Sequence, residues 1–182
     1  MKGPKEALLD PPWEEMVARE PLLAFSFYLS GRVNVLLGLA DEIVDHLDEA
    51  FAGSVVDGGK LERASSLMWL WSLAAYEVIR TICAAPSCFS PPAYAKFKNL
   101  KNRLADIRMP SAKMEKRGKN SPVSSNRSPD GWDVENKDLL IGDPDGSLLL
   151  ARALLTEFQN TFASVSKYDV LNRHESIYRT DP

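Results

Sequence analysis

Cysteine and histidine are scarce in this chain, with two of each among 182 residues. Two cysteines cannot build a disulfide scaffold or a multi-cysteine zinc module. Two histidines leave little for a histidine-rich metal centre. Cys83 and Cys88 are spaced C-x4-C around Pro86, whereas redox and zinc pairs favour C-x2-C. Two small, reduced, partly buried thiols are therefore expected, and with them a cytoplasmic location. The opening MKGPKEALLDPPWEEM lacks the apolar segment of about 7–15 residues that a secretory signal needs.

Long uncharged runs are also rare. Pro21–Ala40 approaches the length of a membrane span, with Arg32 as its single charge. Arg32 and Asn34 sit mid-run, where an arginine costs about 2.5–3.5 kcal/mol on insertion. The apolar period also continues into Asp41–Glu49. The expectation is a soluble amphipathic helix and no membrane partner. Phosphate-binding, dinucleotide-binding, nucleophile-elbow and zinc-protease motifs are missing, and no internal repeat is present. Asp143-Pro144-Asp145-Gly146 begins like an acidic calcium loop, but the downstream ligands do not follow, so it reads as a turn.

What is present is ordinary globular composition, 45% apolar and 26% charged, which suffices for a single core. Charge is unevenly placed. Residues 1–95 carry 7 Lys/Arg against 13 Asp/Glu, and residues 128–182 carry 5 against 10. Residues 96–127 reverse this with 10 against 2. One basic block thus interrupts an acidic protein, and concentrated cations attract polyanions through counterion release.

Apolar spacing predicts four principal helices. A short leading helix begins near Asp10-Pro11-Pro12, with Glu14 and Glu15 at the favourable end of its dipole. The first long helix spans about 22–52, where Leu22, Leu29, Leu36, Ile43 and Ala50 recur every seven residues beside Val33, Ala40 and Leu47. The second spans about 60–85 and is apolar over more than half its circumference, including Trp69, Leu70 and Trp71. Ser90-Pro91-Pro92 opens the third, whose stripe is Tyr94, Phe97, Leu100, Leu104 and Ile107. The fourth starts after Asp143–Ser147 and steps through Leu148, Ala151, Leu155, Phe158 and Phe162.

Residues 117–147 read as an elaborated loop, with a short hairpin over Trp132–Ile141 turning at Asn136-Lys137. The fold class predicted is therefore all-α: an up-and-down four-helix bundle with one long irregular loop between its third and fourth helices. Residues 1–168 form one domain in this reading, and 169–182 a polar tail.

Three constellations carry candidate chemistry. Glu42, His46 and Glu49 share one face of the first long helix, with Asp41, Asp45 and Asp48 beside them. Such spacing can hold a divalent cation. Bundle metal sites, however, draw an E-x-x-H pair from each of two helices, and no second pair exists here. A solvated acidic face, with no metal and no cofactor, is the expectation. Glu77 and Arg80 lie three residues apart in the most apolar helix and are expected to form an ion pair that fixes helix register, either buried inside or at the rim. The basic block supplies Lys96, Lys98, Lys101, Arg103, Arg108 and Lys113 as candidate anion- or partner-binding residues.

A compact helical bundle with a polar loop resembles the HEPN ribonucleases, whose mark is Arg-x4–6-His. Here neither His46 nor His174 has an arginine at that distance upstream, and Lys167 stands seven residues before His174. What the resemblance implies is an RNA-binding or RNA-cleaving bundle without the usual motif.

The leading expectation is a non-catalytic binding protein that self-associates and engages an acidic protein or nucleic acid through residues 96–127. Helix 60–85 has more apolar surface than one layer of neighbours covers, which points to a homo-oligomer. An enzyme built from Glu77, Arg80, Arg108 or His46 around a pocket is the second reading, and a metal-binding bundle the third.

Overall fold

A computed structural model describes residues 11–116, 118, 121–122, 130–143, 146 and 148–174. Pro12 precedes α1 (Trp13–Arg19), whose first turn carries Glu14 and Glu15. The capping expected of Asp10 lies outside the described residues. Pro21 stops α1 as expected but begins a 3₁₀ turn, Pro21–Ala24. Ser26 then caps α2 (Phe27–Ala50), its hydroxyl accepting from the Leu29 N–H at 3.3 Å. The first long helix is thus shorter than its apolar period suggested, because the Ser26 side chain supplies a start. Leu22, Leu29, Val33, Leu36, Ala40, Ile43, Leu47 and Ala50 are all buried, so the heptad seam faces the core. No described helix is long and apolar enough to cross a membrane.

Asp57 caps α3 (Gly58–Cys83) by accepting from the Gly59 N–H at 2.9 Å and the Lys60 N–H at 3.2 Å. Lys60 pairs with Glu49, Arg63 with Glu42, and the Trp71 indole donates to the Leu36 carbonyl. These contacts step in opposite directions along the chain, so α2 and α3 are antiparallel. Ser90 caps α4 (Pro91–Lys113), which runs through Pro110 to a left-handed Met114 at φ 54°. Tyr94 with Cys83, Arg108 with Glu77 and Ser111 with Trp69 set α4 antiparallel to α3.

The chain is mixed α/β rather than all-α. Among the described residues, five helices stand beside a three-stranded antiparallel sheet in the order β1-β2-β3. The hairpin forms where expected, between β1 (Asp130–Asp133) and β2 (Asp138–Gly142), with Trp132 opposite Leu139. Its turn is closed by Asp133, which accepts from both the backbone and side-chain nitrogens of Asn136, and Lys137 takes φ 54°. The overturning element is β3 (Leu148–Leu150), which pairs with β2. Three leucines before a helical period read locally as the helix's first turn. The open edge of β2 offers their backbone groups partners, and this decides the strand.

The last helix, α5 (Ala151–Ala163), consequently starts later than predicted and has no side-chain cap at Leu150. Asp138, buried in β2, does that work from a distance: its carboxylate accepts from the Arg152 N–H at 3.2 Å and from its neighbour Leu139 at 2.7 Å. Leu139 and Ile141 are buried where β2 meets α4 and α5. At the centre, a run of ring contacts joins Trp71, Phe158, Phe162, Phe97, Phe89 and Phe25, with centroids 4.7–5.6 Å apart.

The first part of the polar tail is tied to this body. The Leu171 N–H donates to the Cys88 carbonyl at 2.8 Å and the His174 N–H to Phe25 at 3.0 Å. Asp169 accepts from the Ser90 hydroxyl at 2.5 Å and from the Ser166 N–H at 2.9 Å. The Ser90 hydrogen bond, chiefly, holds the Asp169 carboxyl below its usual range. Its contribution is therefore complete above the ordinary Asp range and is lost as pH falls through the depressed folded value. Asp169→Ala is expected to speed amide exchange at Leu171 and His174, read by hydrogen-exchange mass spectrometry. Unchanged exchange there would show that the backbone bonds alone hold the tail.

Candidate functional site

The six basic residues singled out on α4 do not form one patch, because helical geometry sends them to both flanks of the buried Phe97–Leu100–Leu104 stripe. On the α5 side, the Lys96 ammonium donates to the Ser164 hydroxyl at 2.9 Å and Arg103 pairs with Glu157 at 2.5 Å. Lys98, Lys101 and Arg108 turn the other way, toward α3. Lys113 is exposed in the last turn of α4.

On that α3–α4 face, Glu77 is shared by two arginines. Arg80 lies 2.7 Å and Arg108 3.6 Å from its carboxylate. The Arg108 guanidinium also sits over the Tyr76 ring, 4.9 Å from its centroid. The predicted Glu77–Arg80 pair thus exists, but at the surface rather than buried. Their side chains are 47% and 58% exposed. The reason is position: Glu77 and Arg80 face outward on α3, while Ala75, Ile79 and Ile82 take the core.

Further along, the Tyr94 hydroxyl donates to the Cys83 carbonyl at 3.3 Å, bridging the helices. Burial pushes the Cys83 thiol up, and the nearby charges of Lys101 and Lys98 offset part of that rise. Both cysteines are free and buried, and burial raises Cys88 as well. Lys98 and Lys101 have no carboxylate partner among the described residues. Among the described residues this face therefore carries a strip of Arg80, Lys98, Lys101 and Arg108 with Tyr76 and Tyr94, and Glu77 is the carboxylate that pairs with two of these cations.

At the far end of the strip lies a cleft of about 260 Å³ between α3, the end of α4 and the hairpin. Trp69 and Ser72 line it from α3, Ser111 from α4 and Asp130 from β1. The Ser65 hydroxyl donates to Asp130, and the Trp69 indole N–H donates to the Ser111 carbonyl at 3.2 Å. Helical spacing marks Trp69 only as part of the apolar circumference of the second long helix; its 48% exposure comes from its register on α3. Ser65 and Asp130 are separated by 65 positions, so no local pattern could have joined them. A larger, more apolar cavity of about 410 Å³ lies between α2 and α5, near Leu22, Val33, Leu37 and Phe162. Glu20 stands at its rim, accepting from Ser30 and Asn34, each at 2.5 Å.

The acidic end of α2 is occupied by neighbouring cations rather than arranged as a ligand set. Lys60 meets Glu49, Arg63 meets Glu42 at 3.6 Å, and Arg152 meets Asp48 at 2.7 Å. Lys60 lowers the Glu49 carboxyl below its usual range. His46 lies between Glu42 and Glu49 at 3.8 and 4.0 Å. Among the described residues, no group of three or more His, Cys, Asp or Glu is placed to hold a metal ion. Arg63, beside this cluster, is separated from Glu77 by fourteen residues of α3, about 21 Å of helix. The structure therefore brings Glu77, Arg80 and Arg108 together and leaves His46 at the other end.

Comparison with protein-family models, with curated proteins and with solved structures finds no match to this chain.

Proposed function

We propose that this is a cytoplasmic, non-catalytic binding protein whose α3–α4 face engages an acidic partner. The observation that carries the reading is the strip itself. Lys98 and Lys101 lack a carboxylate partner among the described residues, and Arg80 and Arg108 share a single one, Glu77. Cations that a protein leaves unneutralised, next to rings that can stack, match a polyanion better than a solvent-facing helix. Binding is favoured over catalysis because the strip supplies anion contacts while His46, a candidate proton carrier on α2, lies beside the opposite end of α3.

Reversing two charges in K98E/K101E is expected to weaken heparin binding about ten-fold or more at low salt. It should also reduce the slope of log affinity against log salt by about two. Fluorescence anisotropy with labelled heparin measures both. Unaltered affinity and slope would leave the strip a merely solvated surface. Self-association belongs to the same reading: Phe27, Tyr28 and Val35 expose 73%, 68% and 62% of their surface along α2, and Leu70 on α3 exposes 50%. Sedimentation is expected to give twice the chain mass, and a monomer at all concentrations would remove that part.

A further inference from the structure

The strip and the cleft beside it are one surface. Arg108 lies one helical turn from Ser111 on α4, and Tyr76 one turn from Ser72 on α3; both serines line the cleft. A chain whose charges lie on Lys98, Lys101 and Arg108 would therefore reach the cleft mouth within one more repeat of its backbone. The cleft is too small for a drug-sized ligand, whose pockets run to about 300–1,000 Å³, but one planar ring system fits about 260 Å³. Trp69 supplies an aromatic surface held in place by its indole bond to Ser111. The hydroxyls of Ser65, Ser66, Ser72 and Ser111 line the cleft with hydrogen-bonding groups, the chemistry that reads a base edge or a ribose hydroxyl.

We propose that the cleft is a nucleobase subsite and that the acidic partner is single-stranded nucleic acid. Its phosphates lie along Lys98, Lys101 and Arg108, and one base is stacked on Trp69. This rests on the polyanion reading and narrows it. Nucleic acid carries a planar base on every charged repeat, whereas an acidic peptide offers a ring only where an aromatic residue falls in register, so cations and cleft together favour nucleic acid. Stacking on an aromatic ring tolerates any base, so weak sequence preference is part of the proposal.

The probes are a short labelled oligouridylate, heparin and polyglutamate, each titrated by anisotropy. W69L is expected to weaken oligouridylate binding roughly ten-fold and to leave heparin affinity unchanged, while W69F retains most of the binding. In the wild-type protein the oligouridylate should quench tryptophan emission, and W69F should remove that quenching, which reads the cleft even if W69L is poorly folded. Equal oligouridylate affinity in wild type and W69L, without quenching, sinks the base subsite. In that case the strip still stands if K98E/K101E weakens heparin. Polyglutamate binding as tightly as oligouridylate overturns the choice of nucleic acid. If K98E/K101E alters neither heparin nor oligouridylate binding, the underlying polyanion reading fails as well.

Discussion

Trp71→Ala is expected to lower the stability of this protein by about 3–5 kcal/mol, the usual cost of truncating a buried aromatic side chain. The ring has no exposed surface, stands edge-on to Phe158 at 5.1 Å, and its N–H donates to the Leu36 carbonyl at 3.0 Å. One side chain therefore couples α3 to α2 and to α5. Domains are stable by only about 5–15 kcal/mol in total, so the loss is a large share of the whole. Trp71→Phe separates two causes. It keeps most of the volume and loses the donor, while Leu36 lies inside α2, where its carbonyl retains the helical bond. Its cost should therefore be about 1–2 kcal/mol. Urea titrations followed by circular dichroism measure both. A cost below about 1 kcal/mol for the alanine variant would mean that the ring is not central to the core.

Asp138→Ala should be the next most damaging change, at about 2–4 kcal/mol, because it leaves the N–H groups of Arg152 and Leu139 without their acceptor in a buried place. Arg152 also donates to the Lys137 carbonyl at 3.2 Å and reaches Asp48, so the carboxylate organises the junction of β2, α5 and α2. Asp138→Asn keeps an acceptor oxygen and should cost less. The two also differ with pH. Burial, as the largest influence, raises the Asp138 carboxyl above its usual range. The folded state therefore holds its proton more tightly than the unfolded chain does. Its ionised form costs stability above the raised value, and that cost is relieved as pH falls toward the ordinary Asp range. Asp138→Asn lacks this relief, so its deficit relative to wild type should widen between pH 7 and pH 4. Thermal midpoints across that range test it, and a deficit independent of pH would contradict the assignment.

Residue spacing carried much of the helical layer. The seven-residue recurrence from Leu22 to Ala50 and the stripe Phe97–Leu104 both mark buried faces. A period of three or four leaves no other way to gather those side chains on one side. The hairpin was legible because Asn136-Lys137 is turn chemistry between Trp132 and the apolar run Leu139–Ile141. The third strand was not. Leu148–Leu150 has no period of its own, and only the free edge of β2 selects extended backbone there.

The candidate site divides in the same way. The excess of positive charge in residues 96–127 is a property of composition, and helical spacing alone brings Glu77 within reach of Arg80. Which cations stay free of carboxylates is a question of what stands opposite each one. Glu157 on α5 takes Arg103 and Glu77 on α3 takes Arg108, while Lys98 and Lys101 face no acid among the described residues. The burial of Asp138, the outward register of Glu77 and the meeting of Ser65 with Asp130 also depend on long-range packing. Periodicity and charge act between near neighbours and can be read along the chain. Exposure and cross-element contact depend on how helices and strands settle against each other, and only the folded arrangement contains that information.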